Sequence, residues 1–198
     1  MAPDVLPPKN PVTVSEYPAT AGQTVGPFFH YALPFAGDSE LVPPGHPEAI
    51  RLHGTIYDGA NAPIPDALVE VWQADPTGAI VAAGGSMRRD GWTFTGWGRA
   101  ATDANGHYSF TTLTPGSGCT ERAPFFALTI FARGLLDALF TRAYLPRGNL
   151  ATDQLLRGID DARRQSLICQ AEQDGYRFDV RLQGEDETVF LCHEATQR

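Results

Sequence analysis

The sequence lacks the features of a membrane or secreted protein. No apolar run approaches the ~20 residues needed to span a bilayer, and the N-terminus has neither a basic start nor an apolar signal core. The cysteines, Cys119, Cys169 and Cys192, are widely spaced and form no C-x-x-C pair. We therefore expect a cytoplasmic protein whose thiols are structural and hold no metal.

Basic blocks and common catalytic motifs are also missing. The chain has 15 Lys and Arg against 23 Asp and Glu, a formal charge of -8, which repels phosphate backbones and anionic membranes. Nucleic-acid and membrane partners are therefore not expected. The sequence contains no G-x-S-x-G, no P-loop and no G-x-G-x-x-G, so it gives no support to a hydrolase or a nucleotide-binding protein.

Proline is concentrated at the N-terminus. Ten of the 16 prolines fall in the first fifty residues, which excludes a long regular helix or a central strand there. The same stretch is rich in aromatic residues, so a solvated tail is not expected either. We predict an extended arm over residues 1–49, packed on its own domain or on a partner, followed by one domain over residues 50–198.

The domain is predicted to be all-β, an antiparallel β-sandwich. Short apolar runs alternate with turn sequences such as Asp58-Gly59 and Asp174-Gly175. Strands are expected near residue 50 and at 67–74, 107–113, 125–133, 138–145, 176–182 and 187–191. One or two short helices are expected near 153–173, capped by Asp153 or Asp160 and stopped by Gly175.

Alternation along these strands also predicts roles for single side chains. His30 and His107 are expected to be hydrogen-bonded structural residues, since neither has a nearby nucleophile or carboxylate pattern. Four arginines are expected to form ion pairs: Arg99, Arg142, Arg177 and Arg181. The expected core residues are Trp72, Tyr108, Phe110, Phe126, Ile130, Tyr176, Phe178 and Val180.

Several segments together resemble a known enzyme family. They are VEVWQAD at 69–75, GR at 98–99, TDANGHYSF at 102–110, LTPG at 113–116 and YRFDVRLQGEDETVF at 176–190. These motifs are similar to those of the intradiol ring-cleaving dioxygenases, and QTVGPFFHYAL at 23–33 resembles the N-terminal segment of the family's alpha chains. The resemblance covers about residues 20–191 and implies the prealbumin-like β-sandwich of that family.

The resemblance implies a ferric site that this chain does not reproduce. The family holds Fe(III) with two tyrosinates and a His-x-His on one strand, whose side chains share one face. Here the two histidine positions fall on Phe125 and Ala127, and the two tyrosine positions fall near Gly118 and Ser86. The resemblance therefore implies that this chain has no metal site and that Fe(III) would be bound by a partner beta chain.

The resemblance further implies an iron-free alpha subunit within a hetero-oligomer of alpha-beta units, with no catalytic residue on this chain. The beta chain would cleave protocatechuate with O2, and the arm of this chain would line the substrate pocket. The implied lining residues are Thr24, Val25, Gly26, Pro27, Phe28 and Arg133.

Other interpretations stay open at this point. The Gly26-Pro27 segment also suits an ordinary turn, and Arg133 also suits a solvated strand end. The whole chain also suits a stand-alone transthyretin-like β-sandwich that binds a ligand without catalysis. A self-contained metalloenzyme would require tightly bound iron in the isolated chain.

Overall fold

A computed structural model describes residues 21–26, 28–81 and 89–192 of the chain. Nine strands account for most of the regular structure in these ranges: β1 Ile50–Tyr57, β2 Leu68–Gln73, β3 Trp97–Ala101, β4 His107–Thr112, β5 Phe125–Phe131, β6 Leu139–Tyr144, β7 Gln170–Glu172, β8 Gly175–Arg177 and β9 Val180–Arg181. The helices are short: α1 Phe29–Ala32, α2 Gln154–Arg157, α3 Asp161–Arg164 and a 3-10 turn at Gln165–Leu167. None of the described helices is long and apolar enough to cross a membrane.

The strands form two sheets that pack face to face. One has the order β4-β1-β8-β7, with β9 also paired to β1, and the other has the order β3-β2-β5-β6. Neighbouring strands are antiparallel except where β1 meets β8 and β9, which run parallel to it. The predicted β-sandwich is confirmed, with these parallel pairings as an addition that the sequence pattern did not predict.

Strand β5 shows why the sequence produces this packing. Its residues alternate between buried and partly exposed, because successive side chains of a strand point to opposite faces. Phe126, Leu128 and Ile130 enter the core between the sheets, where each is at most 1% exposed. Phe125 and Ala127 consequently lie on the outer face of the sheet.

The predicted strand at 176–182 is interrupted in the structure. It splits into β8 and β9 because the chain leaves the ladder at Phe178, whose carbonyl oxygen accepts a hydrogen bond of 2.6 Å from the Tyr108 hydroxyl. The same oxygen lies so close to Gly54 that a Cβ there would collide with it. The prediction of one continuous strand was therefore wrong, and Gly54 is required by the close backbone approach.

Two further predictions near the C-terminus were wrong. Residues 187–191 form no strand; the Leu191 amide instead donates to the Phe140 carbonyl at 2.7 Å. Gly175 stops no helix, because it begins β8 just after the β7–β8 turn and has a φ of +151°. Both predicted caps are present, with Asp153 capping α2 and Asp160 capping α3.

The later part of the arm, residues 38–42, packs on the sandwich. Leu41 is 2% exposed and belongs to the main core, and its amide donates to the Thr111 carbonyl at 2.8 Å. The Arg99 amide donates to the Asp38 carbonyl at 2.8 Å. Residues 1–20 of the predicted arm lie outside the described ranges, and the boundary between arm and domain stays a prediction.

Candidate functional site

Residues 28–31 of the arm and the residues at one end of the β2–β5 pair form a pocket. Its volume is about 340 Å³, and we call it the arm pocket. Of the predicted lining residues, Phe28 and Arg133 are in its wall; Val25 and Gly26 are not, and Pro27 lies outside the described residues. The wall is formed by Phe28, His30, Tyr31, Pro65, Asp66 and Arg133.

Strand register explains why Arg133 meets Asp66. Leu68 of β2 is paired with Phe131 of β5 in antiparallel register. Asp66, two residues before Leu68, and Arg133, two residues after Phe131, therefore lie at the same end of the strand pair. Arg133 Nε forms an ion pair with Asp66 Oδ2. The Asp66 residue is 8% exposed, whereas the Arg133 side chain is 56% exposed. The carboxylate is therefore held in the protein while the guanidinium reaches the pocket.

Thr24 connects the arm to this region without lining the pocket. Its Oγ1 accepts a hydrogen bond of 2.8 Å from the amide of Gly134, the residue after Arg133. Gly26 has open space around it, since an added Cβ would meet no atom within 4 Å. The close approach that a glycine permits is therefore not used within this chain at Gly26.

The positions that the resemblance assigns to the family's iron ligands have a different chemistry here. Phe125 and Ala127 lie on the outer face of β5, where Ala127 is paired with Arg142 of β6. The Arg142 guanidinium lies 4.3 Å from the centre of the Phe125 ring. Gly118 adopts a φ of +64°, and Ser86 lies outside the described residues.

This arrangement does not fit a ferric ion. A phenyl ring, a methyl group and a glycine supply no ligand atom, and a guanidinium repels a cation. Across the parts of the chain that the structure describes, His, Cys, Asp and Glu form no group of three that could hold a metal.

A second and larger pocket adjoins Arg142. Its volume is about 1010 Å³, and we call it the arginine pocket. Three arginines line it, together with two carboxylates and one thiol: Arg122, Arg142, Arg157, Glu121, Asp153 and Cys119. Its Arg142 was predicted to form an ion pair, but within the described ranges it contacts the Phe125 ring and the Tyr144 hydroxyl instead.

A chain of hydrogen bonds fixes the floor of the arginine pocket. Arg142 Nη1 donates to the Tyr144 hydroxyl at 3.1 Å, and that hydroxyl donates to Asp153 Oδ1 at 3.1 Å. Asp153 also accepts from the amides of Leu155 and Leu156 at the start of α2, and from the Ala123 amide. Burial raises the pKa of the Tyr144 phenol to about 12, with Asp153 adding to the rise and Arg142 opposing it.

The other predicted arginine pairs have mixed outcomes. Arg99 pairs with Glu70 at 2.6 Å and Arg177 pairs with Asp179 at 2.8 Å, as predicted. Arg181 lies over the Tyr57 ring, with its guanidinium carbon 5.4 Å from the ring centre, and forms no ion pair with a described carboxylate. The sequence pattern could not distinguish these cases because a strand arginine has aromatic as well as acidic neighbours across the sheet.

Two histidine predictions also differ in outcome. His107 is hydrogen-bonded as predicted, with its Nε2 3.1 Å from His53 Nδ1. Burial lowers the pKa of His107, and the nearby positive charges of Arg51 and His53 lower it further. His30 differs, because its buried Nδ1 has no hydrogen-bond partner among the described residues.

Trp72 was predicted to be a core residue and is 48% exposed. On β2 it occupies the outer face, where it is paired with Trp97 of β3 and Ala127 of β5. Glu70, two residues earlier on β2, shares this outer face, so the alternation of V-E-V-W does indicate where Trp72 points. The prediction followed the apolar character of the indole ring instead.

Sequence reasoning missed Asp66 and the role of Arg142. Both are set by strand pairing between segments far apart in the chain. The one local signal for Asp66 is its place in the Pro65-Asp66 turn just before β2. That signal suggests a turn residue and says nothing about an arginine 67 positions later.

Comparisons with known proteins relate the chain to dioxygenases. A family model described as Dioxygenase matches residues 25–184. The chain is 34% identical to the protocatechuate 3,4-dioxygenase alpha chain of Burkholderia cepacia, over 87% of this chain and 96% of that one. It is 32% identical to the beta chain of the same organism's enzyme, over 71% of this chain and 67% of that one.

A solved structure supports the fold. The dioxygenase domain of a dioxygenase and carbohydrate-binding protein fusion from Streptomyces sp. SirexAA-E superposes with a TM-score of 0.55 at 26% identity. The superposition covers 74% of this chain and 87% of that one. With the matched family model and the extent of the sequence identity, this places the chain in the intradiol dioxygenase family, to which it belongs.

Proposed function

We propose that this chain is the iron-free alpha subunit of a protocatechuate 3,4-dioxygenase. It assembles with a beta chain that holds Fe(III), and that beta chain cleaves protocatechuate with O2 to 3-carboxy-cis,cis-muconate. This chain contributes a wall of the substrate pocket through its arm. Catalysis of ring cleavage belongs to the partner.

The observation that carries the proposal is the combination of similarity with lost ligands. The chain matches 96% of the length of the alpha chain of Burkholderia cepacia, while Phe125 and Ala127 replace the pair of imidazoles that the family's iron requires. A chain that keeps the sandwich and the arm but offers no ligands at these positions suits a structural and pocket-forming role.

The arm supports the proposed partner contact. Phe28 and Tyr31 are 72% and 73% exposed, although both belong to the wall of the arm pocket. Large exposed aromatic side chains grouped beside a pocket are typical of surfaces that bind another protein. We infer that the beta chain covers these two rings and closes the arm pocket.

Arg133 supports the choice of a carboxylated catechol. Its Nε is engaged by Asp66, and no described residue forms a further hydrogen bond or ion pair with its terminal nitrogens. Two terminal N–H groups of an arginine match the two oxygens of a carboxylate. Asp66 therefore orients Arg133 while the terminal nitrogens face the substrate side.

The test is purification of the tagged chain from its native cells, with identification of the co-purifying chains by mass spectrometry. We expect one stoichiometric partner that carries a His-x-His and two tyrosine ligands. The complex should contain iron, absorb visible light as ferric tyrosinates do, and cleave protocatechuate. Recovery of the chain alone, colourless and iron-free, would overturn the proposal.

A paired variant tests the arm contact within the same experiment. Phe28→Ser with Tyr31→Ser should reduce the recovered partner and the visible absorption together. Ile80→Ser is the matched control, because Ile80 is 85% exposed and lies outside the arm. If both variants retain the partner equally, the arm rings do not form the contact.

A further inference from the structure

The arginine pocket concentrates positive charge in an acidic protein. The chain has a net charge of -8, yet three arginines converge on this pocket. None of Arg122, Arg142 and Arg157 forms an ion pair with a carboxylate among the described residues. Unpaired guanidinium groups in a concave site attract anions, because low-dielectric walls strengthen the field inside.

The two carboxylates of the pocket do not cancel this charge. Asp153 is 2% exposed, and its two oxygens accept four hydrogen bonds, from Tyr144 and from three backbone amides. Glu121 is exposed and has no hydrogen bond or ion pair with a described residue. Asp153 therefore has no free oxygen to pair with an arginine, and three guanidinium groups against two carboxylates leave the pocket with an excess of positive charge.

The position of Arg142 indicates what has replaced the metal. Its guanidinium packs on Phe125, and its backbone is in register with Ala127, the two positions where the family would place imidazole ligands. A fixed cation thus lies beside the place where a metal cation would lie in an iron-bearing relative. A site that would attract a metal cation in an iron-bearing relative therefore attracts an anion in this chain.

The size of the pocket selects the kind of anion. A volume of about 1010 Å³ exceeds what an inorganic ion needs and falls at the upper end of the range for organic ligands. Three guanidinium groups match more than one carboxylate, since each arginine can bind a carboxylate through two N–H groups. The Leu155 side chain adds an apolar contact on the wall.

We propose that the arginine pocket binds a small organic anion with two or more carboxylates. The ligand contacts Arg142 and Arg157 and is separate from any substrate in the arm pocket. The inference depends only on residues of this chain and does not rest on the proposed function.

The test is isothermal titration of the full chain, purified with whatever chains accompany it, using cis,cis-muconate as the probe. We expect one binding site per copy of this chain beyond any site on a partner. Arg142→Gln and Arg157→Gln should each weaken binding at this site at least about 10-fold, the usual effect of losing a charged hydrogen bond. Benzoate, with one carboxylate, should bind at least about 10-fold more weakly than muconate by the same reasoning.

Arg163→Gln is the matched control, since it removes the same charge from an exposed position on α3 outside the pocket. Equal affinity in the Arg142→Gln, Arg157→Gln and Arg163→Gln variants would overturn the proposal. Absence of a muconate site assigned to this chain at millimolar concentration would overturn it too. Arg157 is exposed at the end of α2, so its variant remains informative if the Arg142 variant folds poorly. Because the partner is identified separately by mass spectrometry, a failure here leaves the proposed function standing.

Discussion

The arm pocket and the arginine pocket both contain arginine and a buried aspartate, but they combine them differently. In the arm pocket, Asp66 pairs directly with Arg133. In the arginine pocket, Asp153 is separated from Arg142 by the Tyr144 hydroxyl and is saturated by backbone amides. One carboxylate therefore orients a cation, while the other holds a helix and leaves Arg142 without a direct ion-pair partner.

The difference shows that a count of acidic and basic residues does not tell whether an arginine in a pocket can bind an anion. A carboxylate that accepts hydrogen bonds from neutral donors stays charged, yet it is unavailable as a close partner for an arginine. Whether each guanidinium can bind a further anion depends on which groups already donate hydrogen bonds to the neighbouring carboxylate. Four substitutions test this contrast between the two aspartates and their arginines.

The largest effect is expected for Asp153→Ala. The change leaves the Ala123, Leu155 and Leu156 amides and the Tyr144 hydroxyl without their acceptor, which should destabilise the protein by about 3 kcal/mol. At roughly 2–4 °C per kcal/mol for a chain of this size, thermal unfolding of the purified complex should start roughly 6–12 °C lower.

The control for that experiment is Asp160→Ala. Asp160 caps α3 through a single hydrogen bond to the Ala162 amide, so its loss should cost only about 1 kcal/mol. Equal shifts for the two variants would mean that the network around Asp153 contributes no more than an ordinary helix cap.

The next effect concerns Arg133→Ala in the assembled enzyme. Loss of the guanidinium should raise KM for a carboxylated catechol about 10-fold and leave KM for unsubstituted catechol nearly unchanged. Steady-state assays with protocatechuate and catechol measure both values. An equal rise for the two substrates would assign Arg133 to the surface.

The arginine pocket makes a prediction about high pH. The folded pKa of Tyr144 is about 12, above the ordinary value of about 10, so burial favours the neutral phenol. The stability gained by burying the neutral Tyr144 phenol is complete below about pH 10. It is lost as the pH rises from about 10 to 12, because the unfolded chain releases the proton first. Tyr144→Phe should remove about 1 kcal/mol of this loss, as measured by unfolding at pH 9 and pH 11. The same loss in both proteins would contradict the assignment.

The smallest effect is expected for Asp66→Asn. The amide oxygen still accepts from Arg133 Nε, while the negative charge that opposes a substrate carboxylate is gone. KM for protocatechuate should fall about 3-fold, the reverse of the Arg133→Ala effect. A rise in KM would show that the charge of Asp66, and not only its acceptor, is needed to orient Arg133.

The sequence predicted the sandwich well because the turns and alternating strands are local signals. Both helix caps, Asp153 and Asp160, were read from residue type and position alone. The break at Phe178 escaped prediction, since it arises where the Phe178 carbonyl lies against Gly54 of β1 and accepts from the Tyr108 hydroxyl. A backbone step of this kind leaves no mark in the pattern of side chains.

The candidate sites were predictable in part. Sequence similarity indicated Phe125 and Ala127 as the positions of interest. The structure shows that the Arg142 guanidinium lies against the Phe125 ring. The Asp66–Arg133 pair could not be read from the chain, because it depends on the register between β2 and β5. Contacts across sheets are set by pairing, and a single sequence gives pairing only indirectly.

The parallel pairing of β1 with β8 and β9 has a consequence for how the chain is made. β1 begins at Ile50, and one of its edges is covered by β4 early in synthesis. Its other edge has no neighbour until residues 175–181 emerge from the ribosome. The nascent chain therefore carries an open strand edge for more than a hundred residues of translation. Such edges invite wrong pairings and slow the final step of folding, so the yield of this subunit should depend on how its last strands are delivered.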